Sequence, residues 1–277
     1  MANRMRVVSD NIADRGTVAA GSVAITAAYL ISDEKTEAWR SVASTTSTNV
    51  SVSWPTAESV SMVAFPLCNF SPTAAITVQL YSDTAGTVLV YTSPSTLCSA
   101  SAAIKVAGLT LTQSASAYNY LGGTSVVVYF PLRTDVKKVV INIADASNLQ
   151  GYLEAARLVV GAYYTPDHDA EVGATMTPLD TTTTTRSDAG SLKREIGTKS
   201  KNITFDLATM QASDRQNIWR IVSYCGTAYP VWVSLYPENT DKNLEHAYTI
   251  YGCFSKLSGI SAKAFGVFGT SLEVDGI

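Results

Sequence analysis

Asn49-Val50-Ser51-Val52-Ser53-Trp54 and, after a short interruption, Ser59-Val60-Ser61-Met62-Val63-Ala64 alternate apolar and polar side chains with a period close to two. Successive side chains of an extended chain point to opposite sides. This period therefore describes a strand with one face in a core and one face outward. The same pattern extends along the chain. Ile76, Val78 and Leu80 alternate with Thr77, Gln79 and Tyr81, and Val139, Ile141 and Ile143 form another set. Val126 to Phe130 is a continuous apolar run, as expected of a strand covered on both faces, and Leu153 to Val160 closes the region. Turn signals lie between these runs: Asn69 with Ser71-Pro72, Ser93-Pro94, and Gly122-Gly123. About eight short strands so spaced predict a two-sheet jelly-roll sandwich over residues 1–165.

Residues 166–199 are different. Pro178 and the five consecutive threonines Thr181 to Thr185 sit in a polar, weakly patterned stretch. β-Branched threonine disfavours a helix and suits extended pairing, so the segment reads as a linker or, preferably, an extended arm that reaches a neighbour. A second domain, 200–277, follows. Ile203, Phe205 and Leu207 alternate as a strand. Ser213-Asp214-Arg215-Gln216 reads as a capping box opening a helix over 213–225. Ile218, Ile221 and Val222 lie on its apolar face, Trp219 widens that face, and Gly226 stands at its end. Strands are expected at Tyr229–Leu235, Ala247–Phe254 and Phe265–Val274, with a polar exposed loop over 237–243. The fold class is therefore all-β: an N-terminal jelly-roll sandwich followed by a smaller β domain with one α-helix.

Neither face of the strand at 247–254 is a solvent face. Tyr248, Ile250 and Phe254 share one side, and Thr249, Tyr251 and Cys253 the other. A strand of this kind has to be covered twice, and in so small a domain the second cover is expected to be another subunit. Ile250, Tyr251 and Phe265 are accordingly the candidate interface residues.

Composition narrows the function. Of the 277 residues 46% are hydrophobic, and only 16% are charged against about 25% in ordinary soluble domains. A hydroxyl-rich, charge-poor surface loses little on being covered by a neighbour. Net charge is −3, with no Lys/Arg cluster to neutralise phosphates, which argues against nucleic acid. The apolar run Val23 to Ile31 is about half the ~20 residues a bilayer requires, and Met1-Ala2-Asn3-Arg4 opens no secretion signal. Synthesis in a cytoplasm without membrane insertion is the expectation. Cys68, Cys98, Cys225 and Cys253 form no C-x-x-C pair and read as reduced, mostly buried thiols.

Little in the chain suggests catalysis. His168 lies between Asp167 and Asp169, and His246 follows Glu245 beside the polar loop. Each is read as a turn residue rather than a ligand or base. Asp83-Thr84-Ala85-Gly86 shares letters with the aspartic-protease motif but reads as a hairpin turn. No hydrolase elbow, zinc helix or phosphate loop occurs. No catalytic residue, metal ligand or cofactor is expected. Trp39 and Trp54 are read as core, and Tyr118 and Tyr120, in the loop Tyr118-Asn119-Tyr120, as candidate glycan contacts.

Trp39-Arg40-Ser41, Asn49 to Trp54, Val60 to Cys68-Asn69, and Gly151-Tyr152-Leu153-Glu154 with Arg157-Leu158 resemble the carbohydrate-binding-like (discoidin-like) domains of tail proteins from long-tailed bacteriophages. Lys193-Arg194-Glu195, Ile203-Thr204-Phe205, the helix, Gly226 to Val233, Tyr251-Gly252 and Leu272-Glu273-Val274 resemble the ring-forming domains of distal tail or baseplate proteins. The resemblance implies a structural virion protein of a tail tip. It would form a ring with other copies of itself and link the tail tube to hub and fibres. The alternative it implies is a receptor-recognition module for a host glycan. Asn69-Phe70-Ser71 departs from the asparagine and Leu-Thr turn of many relatives, so no sugar site is carried over there.

Overall fold

The computed structural model describes residues 4–34, 36–98, 124–148, 150–170, 173–188, 190–197 and 199–277. The chain is mostly antiparallel β-sheet, as its alternation predicts. The runs around Val52 and Met62 join into one strand, Ser47–Cys68. Its interruption is a bulge: Ser53 pairs with Lys138 and Glu58 with Val136. Pro55, which has no amide to give a ladder, is exposed at this bend. The partner strand Thr124–Ala144 joins the two runs at 126–130 and 139–143 in the same way, bending at the exposed Pro131 and Leu132.

These two bent strands serve both layers of the sandwich. Their halves at 47–53 and 138–144 pair with each other and with Thr17–Ala20 and Ala75–Tyr81. Their other halves pair with each other and with Val159–Gly161. Val52, Val78 and Ile141 from the first layer meet Phe65, Val128 and Phe130 from the second in one core. Trp39 and Trp54 are enclosed there, and each indole N–H donates to a backbone carbonyl, of Ser22 (3.1 Å) and Ile12 (2.8 Å). The expected strand at 153–160 is instead two short ones, Glu154–Ala155 and Val159–Gly161, separated by the buried Arg157.

The second sheet runs in the order Arg6–Val8, Val231–Ser234, Thr249–Phe254, Val267–Gly276, Lys199–Met210, Thr175–Asp180. Its first strand comes from the start of the chain: Arg6 pairs with Ser234 and Val8 with Trp232. Helix α1, Ala212–Cys225, lays Ile218, Ile221 and Val222 against Phe205, Leu207 and Leu272. It has no capping box. Gln211 stands at the N-cap without a side-chain bond, Ser213 lies inside the first turn, and Asp214 accepts bonds from the Tyr164 hydroxyl and the Asp167 amide. At the other end Gly226 (φ 54°) closes the helix through its N–H to Val222.

Two expectations need correction here. There is a second helix, α2, Lys242–Ala247, where a loop and the start of a strand were expected. Asp241 caps it at the Asn243 amide (2.9 Å), and Lys242 pairs with Glu245 one turn on (2.6 Å). Part of the segment 166–199, expected as an arm or linker, pairs within the protomer's own sheet. Thr175–Asp180 forms the edge strand against Lys199 to Thr204, with Pro178 tolerated because the strand is an edge. Thr183–Arg186 and Leu192–Glu195 form a separate, wholly exposed hairpin.

The second cover of Thr249–Phe254 is not another subunit either. Ile250 (2% exposed) faces the core beneath α1, and Tyr251 (7%) packs with Trp232 and Val8 against Met62, Ala64 and Val159 of the sandwich. The two sheets cover each other within one chain. At the edge of this contact the Tyr251 hydroxyl accepts from Arg157 Nε (2.8 Å) and donates to Asp33 (2.9 Å), while Arg157 pairs with Asp14 (2.9 Å) and Asp33 (3.1 Å).

Arg157 is only 3% exposed, whereas Asp14 and Asp33 are half open to water. The two sides of this cluster should therefore respond differently to mutation. The double change Asp14→Ala, Asp33→Ala strands a buried cation, and should cost toward the low end of the roughly 3–5 kcal/mol typical of broken buried pairs. Arg157→Met removes the buried charge and leaves two solvated acids, so it should change stability by about 1 kcal/mol or less. Urea unfolding of the three proteins measures the contrast, and equal losses would refute it.

Candidate functional site

Three places among the described residues hold unusual chemistry. The first is a cavity of about 50 Å³ where the two sheet units meet, lined in part by Ser125, Lys201, Trp232, His246 and Tyr251. The Ser125 hydroxyl and His246 Nδ1 lie 2.6 Å apart, and both residues are buried. Lys201 Nζ donates to the carbonyls of His246 (2.7 Å) and Ala247 (3.3 Å) at the end of α2. Burial pushes the Lys201 ammonium down to about 7, since an enclosed cation has lost its water. The histidine read as a turn residue is thus a buried junction residue. Helix α2 draws it inward, and the capped pattern Asp241 to Glu245 was the available signal. Among the described residues no cluster of three or more His, Cys, Asp or Glu side chains is arranged to hold a metal.

The second place is the outer surface of the second unit. Ser261–Ala264 and the start of Val267–Gly276 form a hairpin whose tip carries Phe265, fully exposed beside Gly266 (φ 75°). At the foot of the hairpin is an open groove of about 410 Å³ lined by Arg215, Gln216, Trp219, Ile260, Ala262 and Phe268. The Arg215 guanidinium stacks 4.5 Å over the Phe268 ring. Trp219 does not widen the buried face of α1 as the sequence predicts; it is 58% exposed and forms one wall of this groove. Among the described residues every exposed large aromatic side chain lies on this unit: Trp219, Tyr224, Tyr229, Tyr236 and Phe265. Tyr224 and Tyr229 stack on each other at 6.0 Å.

The third place is the outward sheet face of the sandwich. Asn49 pairs in register with Asn142, and Asn142 with Thr77. With Ser47 and Thr48 they line a shallow polar groove of about 450 Å³. Asn142 Nδ2 and the Tyr81 hydroxyl both donate to Gln79 Oε1 at 3.2 Å, which places an aromatic ring at one end of a row of amides and hydroxyls. Tyr118 and Tyr120, the candidate glycan contacts, lie outside the described residues. The Asn69 side chain is committed internally to Gln150, Tyr152 and Glu154. Asp83 forms the expected turn, accepting from the amides of Thr87 and Val88, which hold its carboxyl down to about 2. Beside His168, Asp169 accepts from the Met5 amide at 2.7 Å.

No protein-family model and no curated protein matches the chain. Solved structures do. The chain is similar to chitosan-binding module 1 of a chitosanase/glucanase from Paenibacillus sp. IK-5 (18% identity, 55% of this chain and 99% of that one, TM-score 0.39). It is also similar to CpGH89CBM32-5 from Clostridium perfringens, in complex with GalNAc-β-1,3-galactose (10% identity, 55% and 100%, TM-score 0.40). A third is the lectin domain of lectinolysin complexed with Lewis B antigen (14% identity, 55% and 95%, TM-score 0.35).

The junction cavity predicts a pH dependence. The Lys201 ammonium is depressed in the folded state, so between about pH 7 and its ordinary value the unfolded chain binds the extra proton, and stability rises with pH in that window. The melting temperature should climb from pH 7 to pH 8.5, and the climb should shrink in Lys201→Met. An identical pH slope in both proteins would contradict the assignment.

Proposed function

We propose that the chain is a non-enzymatic structural protein working as a repeated subunit of a symmetric assembly, of the kind that forms a ring at the tip of a bacteriophage tail. The observation that carries this reading is the exposed apolar surface of the second unit. A fully exposed phenylalanine at a hairpin tip and a half-exposed tryptophan beside an open groove are poor surface choices for a solitary protein. Aromatic side chains of this kind are the usual anchors of protein interfaces. The charge-poor composition fits a surface meant to be covered. The Ser125–His246 pair is buried where the two sheets meet, which fits a role without catalysis. In this reading the partners are other copies of the chain and neighbouring tube, hub and fibre proteins, within a virion made in the host cytoplasm.

A second reading concerns the sandwich alone: recognition of a host glycan. The polar groove of Asn49, Thr77 and Asn142 favours it, because paired amides and hydroxyls on a flat sheet match the donor and acceptor pattern of a sugar edge. The two readings are compatible, since one unit assembles while the other faces outward.

Light scattering of the purified chain over a wide concentration range, with electron microscopy of the product, tests the first reading. Wild-type protein should associate into closed rings. Phe265→Asp combined with Trp219→Glu should weaken association at least tenfold while the circular dichroism spectrum stays unchanged. A wild-type chain that remains strictly monomeric at every concentration would overturn the reading. For the second, Asn142→Ala should abolish at least nine-tenths of whatever binding a glycan array detects for the full chain, and an array without any signal rejects it.

A further inference from the structure

The cavity where the two sheet units meet collects two donors that the fold leaves short of acceptors. Lys201 reaches it from the strand Lys199–Met210. An ammonium carries three N–H donors and accepts nothing. Two of these donors go to the carbonyls of His246 (2.7 Å) and Ala247 (3.3 Å), and the third meets no acceptor among the described residues. No aspartate or glutamate lines the cavity, and Lys201 forms no ion pair among the described residues. Trp232 supplies the second donor. It lines the same cavity, is 1% exposed, and its indole N–H has no hydrogen-bond partner among the described residues. Trp39 and Trp54 show the usual arrangement, in which each buried indole donates to a backbone carbonyl. A buried donor without an acceptor keeps its full desolvation cost, and a buried cation without a counter-charge costs more. The walls at Pro66, Leu67 and Ile250 are apolar. The volume of about 50 Å³ is several times the ~10–15 Å³ that admits one water.

We propose that this cavity binds a small, singly charged, weakly hydrated anion, of the halide or nitrate class, between the Lys201 ammonium and the Trp232 indole N–H. The ligand is acceptor-only because both groups can only donate. One charge balances Lys201, whereas a dianion such as sulfate brings an uncompensated charge into an enclosed site. The ion is weakly hydrated because the apolar walls return nothing for a tightly held water shell. Burial without a counter-charge holds the Lys201 ammonium down to about 7, and an anion at this place returns it toward its ordinary range. Lys201 belongs to the second sheet, and Pro66 and Leu67 to the sandwich strand Ser47–Cys68, so the ion ties the two units together. The site shares no lining residue with the Trp219 groove or the amide face, and it stands whether or not the chain assembles.

The test is thermal unfolding of the full chain in mixtures of sodium bromide and sodium gluconate at one fixed ionic strength. Gluconate is too large for the cavity, so screening stays constant while the ion that fits is varied. The melting temperature should rise with bromide along a saturating curve, by roughly 4 °C. Sulfate stabilises by exclusion from the surface and should give a rise without saturation. Trp232→Phe keeps an aromatic ring and removes the N–H, and should raise the half-saturating bromide concentration by roughly fivefold. Lys201→Met should abolish the saturable rise. If Lys201→Met does not fold, the decision falls to Trp232→Phe and to a bromide-soaked crystal of the wild-type chain, with the ion located by its anomalous scattering. A flat response to bromide would overturn the proposal, and is the outcome expected if a carboxylate of the chain itself reaches Lys201 in solution. So would an unchanged saturable rise in either variant, or bromide found only elsewhere on the molecule.

Discussion

The contact between the two sheets is the constraint on which the rest of the structure depends. Trp232 and Tyr251 from one sheet meet Met62, Ala64 and Val159 from the other, and neither surface is suited to water. The contact carries its own polar seal. Arg157, Asp14 and Asp33 close one edge around the Tyr251 hydroxyl. Elsewhere Arg6 stacks over the rings of Tyr129 and Tyr163, at 4.1 and 4.5 Å, and pairs with Glu238 at 2.6 Å. Burial in this layer holds the Tyr129 and Tyr251 hydroxyls well above the ordinary phenol range, so both remain neutral over the whole physiological span. Each unit supplies the wall that the other lacks.

Once the inner face of the second sheet is occupied in this way, what remains outside is easier to interpret. Among the described residues the exposed aromatic side chains lie on the second unit, and the amide and hydroxyl ladder on the sandwich. Apolar aromatic surface gains most from exclusion of water by another protein, whereas a polar sheet face can exchange its hydrogen bonds with a hydrophilic ligand at little cost. On the proposed reading, the molecule divides into a surface for assembly and one for recognition, set on a shared junction.

Much of this was legible in the sequence, and the failures have physical causes. The alternation at Val50 to Trp54 is local, so the strand, its face and the enclosure of Trp54 were readable. The fusion of two runs into Ser47–Cys68 was not, because the bulge at Pro55 is defined by the register of a partner seventy or more residues away. The double cover of Thr249–Phe254 was readable from its two apolar faces, but the identity of the cover was not. Met62 and Ala64 look like any inward residues of a sandwich, and nothing in a linear pattern says that they point out of one core into another. Lys201 carries no local signal at all. Its burial arises from α2, a helix too short for apolar periodicity to show. Trp219 was placed on the buried stripe of α1 by spacing alone, and the structure turns it outward to the groove.

The pairing of Arg6 to Val8 with Trp232 to Ser234 has a consequence for synthesis. The first strand of the second sheet leaves the ribosome more than two hundred residues before its partner. At ~5–20 residues per second, that is a wait of roughly ten to forty-five seconds. The sandwich lies between the two and can close in the interval, while the second sheet cannot complete its edge until nearly the whole chain has emerged. The surface proposed to bind other copies is therefore the last to mature. On that reading, a nascent chain presents a finished sandwich before it presents a finished docking face.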